Sequence, residues 1–413
     1  MSSNIKKHLN LSLFVSSRLE GRGKNNFSRV ITRIAIGSVA TGLAVMILSF
    51  AIFTGFRNAI QDKIFSFSAH IRASKFVMSN SYEEIPVATS YDLYQTGSEI
   101  AGVEHIQVYS RKAGILKTDE EVYGVVVKGV GTDFDTTRFA NNLLEGRFPD
   151  LKGDEISTEI LISKKIADLL GLKLHDDVII YFVQDPPRVR KLTIAGIYLT
   201  GIEDFDEKII VADNQLIQRV NNWSDSLVGG FEIYVSDFDK LDEVYERVYD
   251  EMDYDLGIVK VTDSYVQFFD WFVMLNRNVF VFLSVILFIA CFNIFSIVLI
   301  LIMERTNMIG TLKALGSTSK QIRQIFVYKG YRIIITGLLL GNVAGLGLGY
   351  LQMKYRIVPL DPENYYMSAV PIVIEWPVVL VLNLVLVLLV GFILAVPTRI
   401  ITSMEPIRTI KFD

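Results

Sequence analysis

NVFVFLSVILFIACFNIFSIVLILIM (278–303) runs for 26 residues without an Asp, Glu, Lys or Arg. A charge at the bilayer centre costs about 3 kcal/mol or more, and a helix needs about 20 apolar residues to cross the hydrocarbon. The stretch therefore reads as a membrane span. Three further charge-free runs exceed 20 residues: Ile34 to Phe56, Ile333 to Met353 and Trp376 to Thr398. The whole chain agrees, with 413 residues, 51% of them hydrophobic and only 21% charged, and a mean hydropathy of +0.36. The expected fold class is a membrane protein with four transmembrane helices and a large α+β domain between helices 1 and 2.

Composition excludes several functions. Apolar and aromatic content is far too high for disorder. A net charge of −4 lacks the basic excess of a nucleic-acid binder. One cysteine, Cys291, gives neither an intrachain disulfide nor a multi-cysteine metal site, and the four histidines lie far apart without ligand spacing. No metal site is expected. No phosphate-binding loop, nucleophile elbow or zinc-protease motif is present. Asp204, Asp206 and Glu207 sit in a Gly/Asp-rich loop and read as a solvated face, not as an acid/base pair.

Lys and Arg counts orient the spans. Residues 1–33 hold seven (Lys6, Lys7, Arg18, Arg22, Lys24, Arg29, Arg33) and the loop 304–332 holds six. The loop 354–375 holds two, Lys354 and Arg356. By the positive-inside rule residues 1–33, 304–332 and 399–413 are expected in the cytoplasm, with 57–277 and 354–375 outside. Within 1–33, residues 5–20 are expected to form an interfacial amphipathic helix. The first span follows a polar, basic segment without a small-residue cleavage site, and reads as retained.

The outside segment is rich in strand signals. HIQVYSRKAGILKT (105–118) and EVYGVVVKGV (121–130) predict a hairpin, and EILISKKIADLLGL (159–172) a strand followed by a helix. VIIYFV (178–183) and RKLTIAGIYL (190–199) predict a second pair around Pro186, Pro187 and Arg188. FEIYVSD, a helix over 238–251 and LGIVKV (256–261) predict a β-α-β unit. One domain with two subdomains is expected.

Two membrane-side features stand out. Gly337, Gly341, Gly345 and Gly349 recur every four residues and line one helix face, which predicts tight helix packing within the chain or across a dimer. The loop MERTNMIGTLKALGSTSKQIRQIFVYKGYR (303–332) places Met308, Ile309, Leu312 and Leu315 at helical spacing. Gly316 marks a stop, and Thr318 with Gln321 forms a capping box for a helix running into the third span. A short amphipathic helix is thus expected between two spans, able to dock into a soluble partner.

The order of a basic leader, one span, a large outside domain and three spans, with ERTNMIGTLKALGS (304–317) in the loop, resembles the mechanotransmission permeases of ABC transporters, the FtsX-like and MacB-like group. SRLEGRGKNNFSRVITRIAIGSVATGLAVMILSFAIFTGFRNAIQDKIFSFSAHI (17–71), with a turn-off at Gly55-Phe56, resembles the lipoprotein-releasing permeases LolC and LolE. So do VPLDPENYYMSAVPI (358–372) and PTRIITSMEPIRTIKF (397–412).

The resemblance implies a permease subunit in the inner membrane of a Gram-negative bacterium, paired with a second copy or a paralogue. Two copies of a stand-alone ATPase would carry the ATP and Mg, leaving this chain without cofactor or catalysis. The implied substrate is a triacylated lipoprotein, drawn from membrane lipid and passed to a periplasmic carrier. Coupling to the ATPase falls on Glu304, Arg305, Ile309, Gly310, Leu312, Lys313, Leu315 and Gly316. A cavity for acyl chains is expected around Met46, Phe50, Phe53, Trp271 and Met274, since flexible Met and broad aromatic side chains suit varied chains. Carrier docking is expected at Pro186, Pro187 and Arg188. The alternatives are an FtsX-like signal to a cell-wall hydrolase and a MacB-like exporter.

Overall fold

The computed structural model describes residues 26–76, 84–118, 121–151, 156–361, 365 and 367–403. The leader helix expected over 5–20 and the tail beyond 403 lie outside the described residues. In chain order the main elements are α1 (Asn26–Phe67), β1 (Ile71–Lys75), β2 (Val87–Ala88), β3 (Val103–Lys117), β4 (Val122–Val130), β5 (Leu143–Gly146), β6 (Glu159–Ser163), α2 (Lys164–Leu170), β7 (Asp177–Phe182), β8 (Arg188–Tyr198), β9 (Ile209–Asp213), α3 (Asn214–Asn221), β10 (Leu227–Val228), β11 (Gly230–Val235), α4 (Leu241–Glu251), β12 (Leu256–Lys260), α5 (Val266–Glu304), α6 (Thr306–Ala314), α7 (Ser319–Tyr355) and α8 (Trp376–Ser403). Two compact units result: a helical one of residues 1–57, 272–359 and 369–413, and a sheet unit of residues 58–271 and 360–368.

Among the described residues four helices are long and apolar enough to cross a membrane, namely α1, α5, α7 and the Trp376–Leu394 part of α8. Each charge-free run is only part of its helix. α1 has 42 residues, about 63 Å at 1.5 Å per residue, because no proline stops it where the charges resume at Arg57. The turn expected at Gly55-Phe56 is therefore absent. Gly55 has another use: a Cβ there would lie 2.5 Å from the Pro371 carbonyl oxygen, so glycine admits the 371–373 backbone against α1. Val373 N–H then donates to the Ala51 carbonyl at 3.1 Å.

The glycine row of α7 packs within the chain. A Cβ on Gly337 would sit 2.7 Å from Val39 Cβ, on Gly341 2.8 Å from the Ala40 carbonyl, and on Gly345 3.0 Å from Ala44 Cα. Gly349 keeps ordinary contact distances to Leu48, Ile372 and Ile374. Partners rise in number together along α1 and α7, so these two helices run parallel. Asn293 donates to Ser38 at 2.8 Å and Gly42 faces Ile286 and Ala290, so α5 runs antiparallel to α1. Reciprocal amide bonds of 2.8 and 3.1 Å join Asn342 to Asn383, while Gly330 meets Leu394; α8 is antiparallel to α7. Successive spans alternate, and the α5–α7 connection lies at the end of the bundle where α1 begins.

In the sheet unit the predicted strand pairs form, with Lys117 opposite Val122 across the first hairpin and Phe182 opposite Arg188 across the second. Ten strands make one mixed sheet in the order β12-β1-β11-β3-β4-β9-β6-β8-β5, with β7 bridging β3 and β8. The two expected subdomains thus share a single sheet. β11, α4 and β12 form the predicted β-α-β unit in split form: β1 lies between the two strands, antiparallel to both. Alternation along β4 sends Val125 and Val127 into an apolar core with Leu116, Ile160, Ile162, Ile166 and Ile217. Val126 and Lys128 face the other way.

His70 is buried against Phe65, ring centroids 4.3 Å apart, and its Nδ1 accepts the Val235 N–H at 2.8 Å. Burial, aided by the Arg138 charge, pushes its pKa down to about 3. The native state holds it neutral, so its contribution is present above pH 6.5 and is lost as pH falls toward 3. Over that window the loss is about 1.4 kcal/mol per pH unit. Against wild type, His70→Gln is expected to narrow its stability deficit as pH drops from 6.5 to 4, read by hydrogen exchange at β1 and β11 amides. A deficit independent of pH would contradict the neutral buried imidazole.

Gly341→Ala is expected to destabilise the helical unit by about 1–3 kcal/mol through overpacking. Gly347→Ala, where a Cβ meets nothing within 4 Å, should gain helix propensity instead. Thermal unfolding in detergent distinguishes them; equal shifts would mean that the glycine face is not packed.

Candidate functional site

The connection between the second and third spans is a tight elbow. α5 ends at Glu304 and α6 starts at Thr306, so Arg305 alone makes the corner. At the far end Gly316 takes φ +90°, and Ser317 N–H reaches back to the Leu312 carbonyl at 2.9 Å. This is a glycine-terminated helix end. Thr318 then forms the predicted capping box with Gln321, and α7 begins.

Placement of the expected coupling residues differs from the sequence reading. Ile309 is fully buried, Gly310 is buried, and Met308 and Leu312 pack against the helical core with Ile302, Ile322 and Phe326. The apolar edge that was to meet a partner faces this chain's own bundle, because a helix at the end of a bundle covers the nearest apolar surface first. The outward side consists of Asn307, Thr311, Ala314 and Leu315, the last 78% exposed. Arg305 and Lys313 are half-buried and Gly316 is exposed. Both carboxylate oxygens of Glu304 are buried at the corner without a hydrogen-bond partner. Sequence reasoning missed Asn307, Thr311 and Ala314; their only signal was the polar side of the helical wheel.

The expected acyl cavity is not assembled as one group. Met46 is 2% exposed inside the helical core with Leu43, Ile47 and Leu283. Phe50 and Phe53 stack edge to face at 6.5 Å, Phe53 buried and Phe50 partly so. Phe50 lines a crevice with Ala51, Thr54, Ile374 and Val379 that holds about 10 Å³, roughly one water. Met274 is exposed and Trp271 half-buried. A broad apolar face lies instead on α5, where Val281, Val285, Phe288 and Phe292 recur at helical spacing, each more than half exposed. Its orientation was illegible because α5 is apolar on every side.

At the second hairpin Pro186 and Pro187 are exposed at a tip of five residues, 183–187. Arg188 is occupied within the chain: its guanidinium donates to the Arg219 carbonyl at 2.6 Å and Asn222 Oδ1 at 2.7 Å, closing the end of α3. It holds the hairpin rather than offering a charge to a carrier. Asp206 is buried, not solvated, and accepts from Thr200 N–H, Thr200 hydroxyl and Gly201 N–H at 2.7–2.9 Å. Burial raises its pKa and these donors oppose the rise.

The same unit buries charge on the sheet face that carries Lys128. Lys128 Nζ donates to Glu232 at 2.7 Å and to the Phe67 carbonyl at 2.7 Å, and Gln107 donates to the other Glu232 oxygen at 2.8 Å. Arg111 stands directly opposite Lys128 across the β3–β4 ladder. Glu84 accepts the Arg111 backbone N–H at 2.7 Å, and burial pushes its carboxyl up to about 7. Sequence reading gave no sign of this cluster, since each member is an isolated charge in a strand.

Comparison with known proteins places the chain. Residues 32–250 match the family model of the MacB-like periplasmic core domain, and residues 280–406 that of the FtsX-like permease C-terminal region. Along 98% of its length the chain is 22% identical to the lipoprotein-releasing system transmembrane protein LolC of Xylella fastidiosa strain 9a5c, of which it covers 99%. It is 23% identical to LolC of Xylella fastidiosa strain Temecula1, again over 98% of this chain and 99% of that one. The periplasmic region of MacB from Actinobacillus actinomycetemcomitans aligns at 14% identity and a TM-score of 0.34, over 51% of this chain and 97% of that one. With four spans among the described residues, a mixed-sheet domain between the first two and both family regions in that order, the chain belongs to the proteins with a MacB-like periplasmic core domain, here followed by an FtsX-like permease C-terminal region.

Proposed function

We propose that the chain is the membrane subunit of an ABC transporter that lifts lipoproteins out of the inner membrane and hands them to a periplasmic carrier. The observation that carries this reading is the end-to-end similarity to LolC relatives, which spans both the membrane helices and the domain between them. A separate ATPase supplies the energy, and a second permease, identical or paralogous, completes the transmembrane part. The elbow supports this division of labour. The exposed side of α6 is small and polar apart from Leu315, and suits a shallow socket on a soluble protein. Its inner side is locked into the bundle, so a push on α6 displaces α5 and α7 with it. The amino terminus and this elbow face the cytoplasm in this scheme.

Magnitudes set what the bundle must do. Three acyl chains of about 15 methylenes, at about 0.8 kcal/mol each, cost on the order of 35 kcal/mol to bring into water. The lipid must therefore move between apolar surfaces. The exposed α5 face of Val281, Val285, Phe288 and Phe292 and the Phe50–Phe53 pair offer such surfaces.

Depletion of the protein should strand lipoproteins in the inner membrane; unchanged fractionation would remove the proposal. Leu315→Glu is expected to abolish co-purification of the ATPase without altering the thermal stability of the chain, whereas Ile309→Asp should destabilise the chain by about 3 kcal/mol or more. Full ATPase recovery with Leu315→Glu would mean that α6 is not the coupling surface. Phe50→Asp is expected to cut lipoprotein release from spheroplasts at least about tenfold, one 1.4 kcal/mol step, while the complex still assembles. Normal release would exclude Phe50 from the lipid path.

A further inference from the structure

In the sheet unit, where α1 ends and α5 begins, lies a cavity of about 180 Å³. It is lined by Phe67, Arg111, Lys128, Phe205, Lys208 and Tyr265, together with Val126, Asp204 and Ile209. One water needs only about 10–15 Å³, so the space admits a polyatomic group. Phe67 stacks on Phe205 at 4.8 Å, and Phe205 meets Tyr265 edge-on at 5.6 Å, which makes one wall aromatic. The opposite wall is the sheet, and it is charged.

The charges do not balance. Lys128 is matched by Glu232 at 2.7 Å and Lys208 by Asp204 at 3.3 Å. The Arg111 guanidinium makes no hydrogen bond or salt bridge among the described residues; its side-chain contact is the Tyr109 ring, 5.3 Å from the centroid. Arg111 also sits directly opposite Lys128 in the ladder. Side chains in that relation lie about 5 Å apart at Cβ, where like charges repel. The one carboxyl hydrogen-bonded to the Arg111 backbone, Glu84, has its pKa raised to about 7 by burial and so supplies only part of a counter-charge at neutral pH. A buried lysine opposed by a half-buried arginine is costly unless a negative group shares the space. Arg and Lys together suit an oxyanion, Arg through its planar fork and Lys as a point charge.

We infer that this cavity binds a phosphate group, held by Arg111 and Lys128 against the Phe67–Phe205–Tyr265 wall. The group is either free phosphate or the headgroup of an anionic phospholipid, which share the same recognition chemistry. This site shares no lining residue with the α6 elbow or the apolar α5 face, and its test does not depend on lipoprotein release.

The full-length chain in non-ionic detergent is heated at constant ionic strength while potassium phosphate replaces potassium chloride. In parallel it is heated in phosphatidylcholine nanodiscs with increasing phosphatidylglycerol. A saturable rise in the unfolding temperature with phosphate identifies the free anion as sufficient; a rise with phosphatidylglycerol alone identifies the headgroup. In either arm Arg111→Gln should raise the half-saturating concentration at least about tenfold, the scale of a lost charge-assisted hydrogen bond. Arg190→Gln, a charge outside the cavity, should leave it unchanged. If Arg111→Gln does not fold, Arg111→Lys, which keeps charge and loses the fork, is the deciding variant. No saturable rise in either arm, or a rise that persists in the folded Arg111 variant, overturns the assignment.

Discussion

The membrane half depends on how closely α7 approaches α1. Lipid tails are as apolar as leucine, so burial gives helices no reason to associate inside a bilayer; packing and interhelical hydrogen bonds must do it. Gly337 and Gly341 bring the α7 backbone onto Val39 and Ala40 closer than a Cβ would allow, and Gly345 brings it onto Ala44 at a distance where a Cβ would be crowded. Each of the other contacts adds a polar clasp, Asn293 to Ser38 between α5 and α1 and Asn342 to Asn383 between α7 and α8. With α1 and α7 fixed in parallel, the elbow between α5 and α7 falls at one end of the bundle.

That placement gives the elbow its mechanical character. α6 is joined to α5 by one residue and to α7 by a glycine stop and a capping box, and its apolar edge is buried among the spans. Such a helix does not swing independently. Force applied to its outer side is delivered to the two helices that flank it, as the proposed transport cycle requires.

The sheet unit shows a different use of burial. Most of its interior is aliphatic, yet one face of the central strands carries Gln107, Arg111, Lys128 and Glu232. Replacing buried charges by apolar groups often leaves stability equal or better, so a fold built for stability alone has little use for them. Arg111 and Lys128 share a cavity lining with Phe67, the last residue of α1, and Tyr265, which directly precedes α5 in sequence.

Local pattern carried much of this protein. Charge-free runs located four spans, Gly316 and Thr318 bounded the elbow, and alternation gave both hairpins, because each of these follows from the chemistry of a few consecutive residues. Even the four-residue glycine spacing announced a packed face. Which helix would fill that face depended on α1, far away in sequence, and whether the apolar edge of α6 would point to a partner or inward depended on how α5 and α7 fold beside it. Arg188 looked like a free tip charge until α3 was seen to use it, and Met46 looked like a cavity residue until the bundle closed over it. The Arg111–Lys128 opposition was invisible in sequence, since it arises only when two strands set their register. Periodicity is a property of the segment, whereas burial and charge pairing are properties of what folds against it.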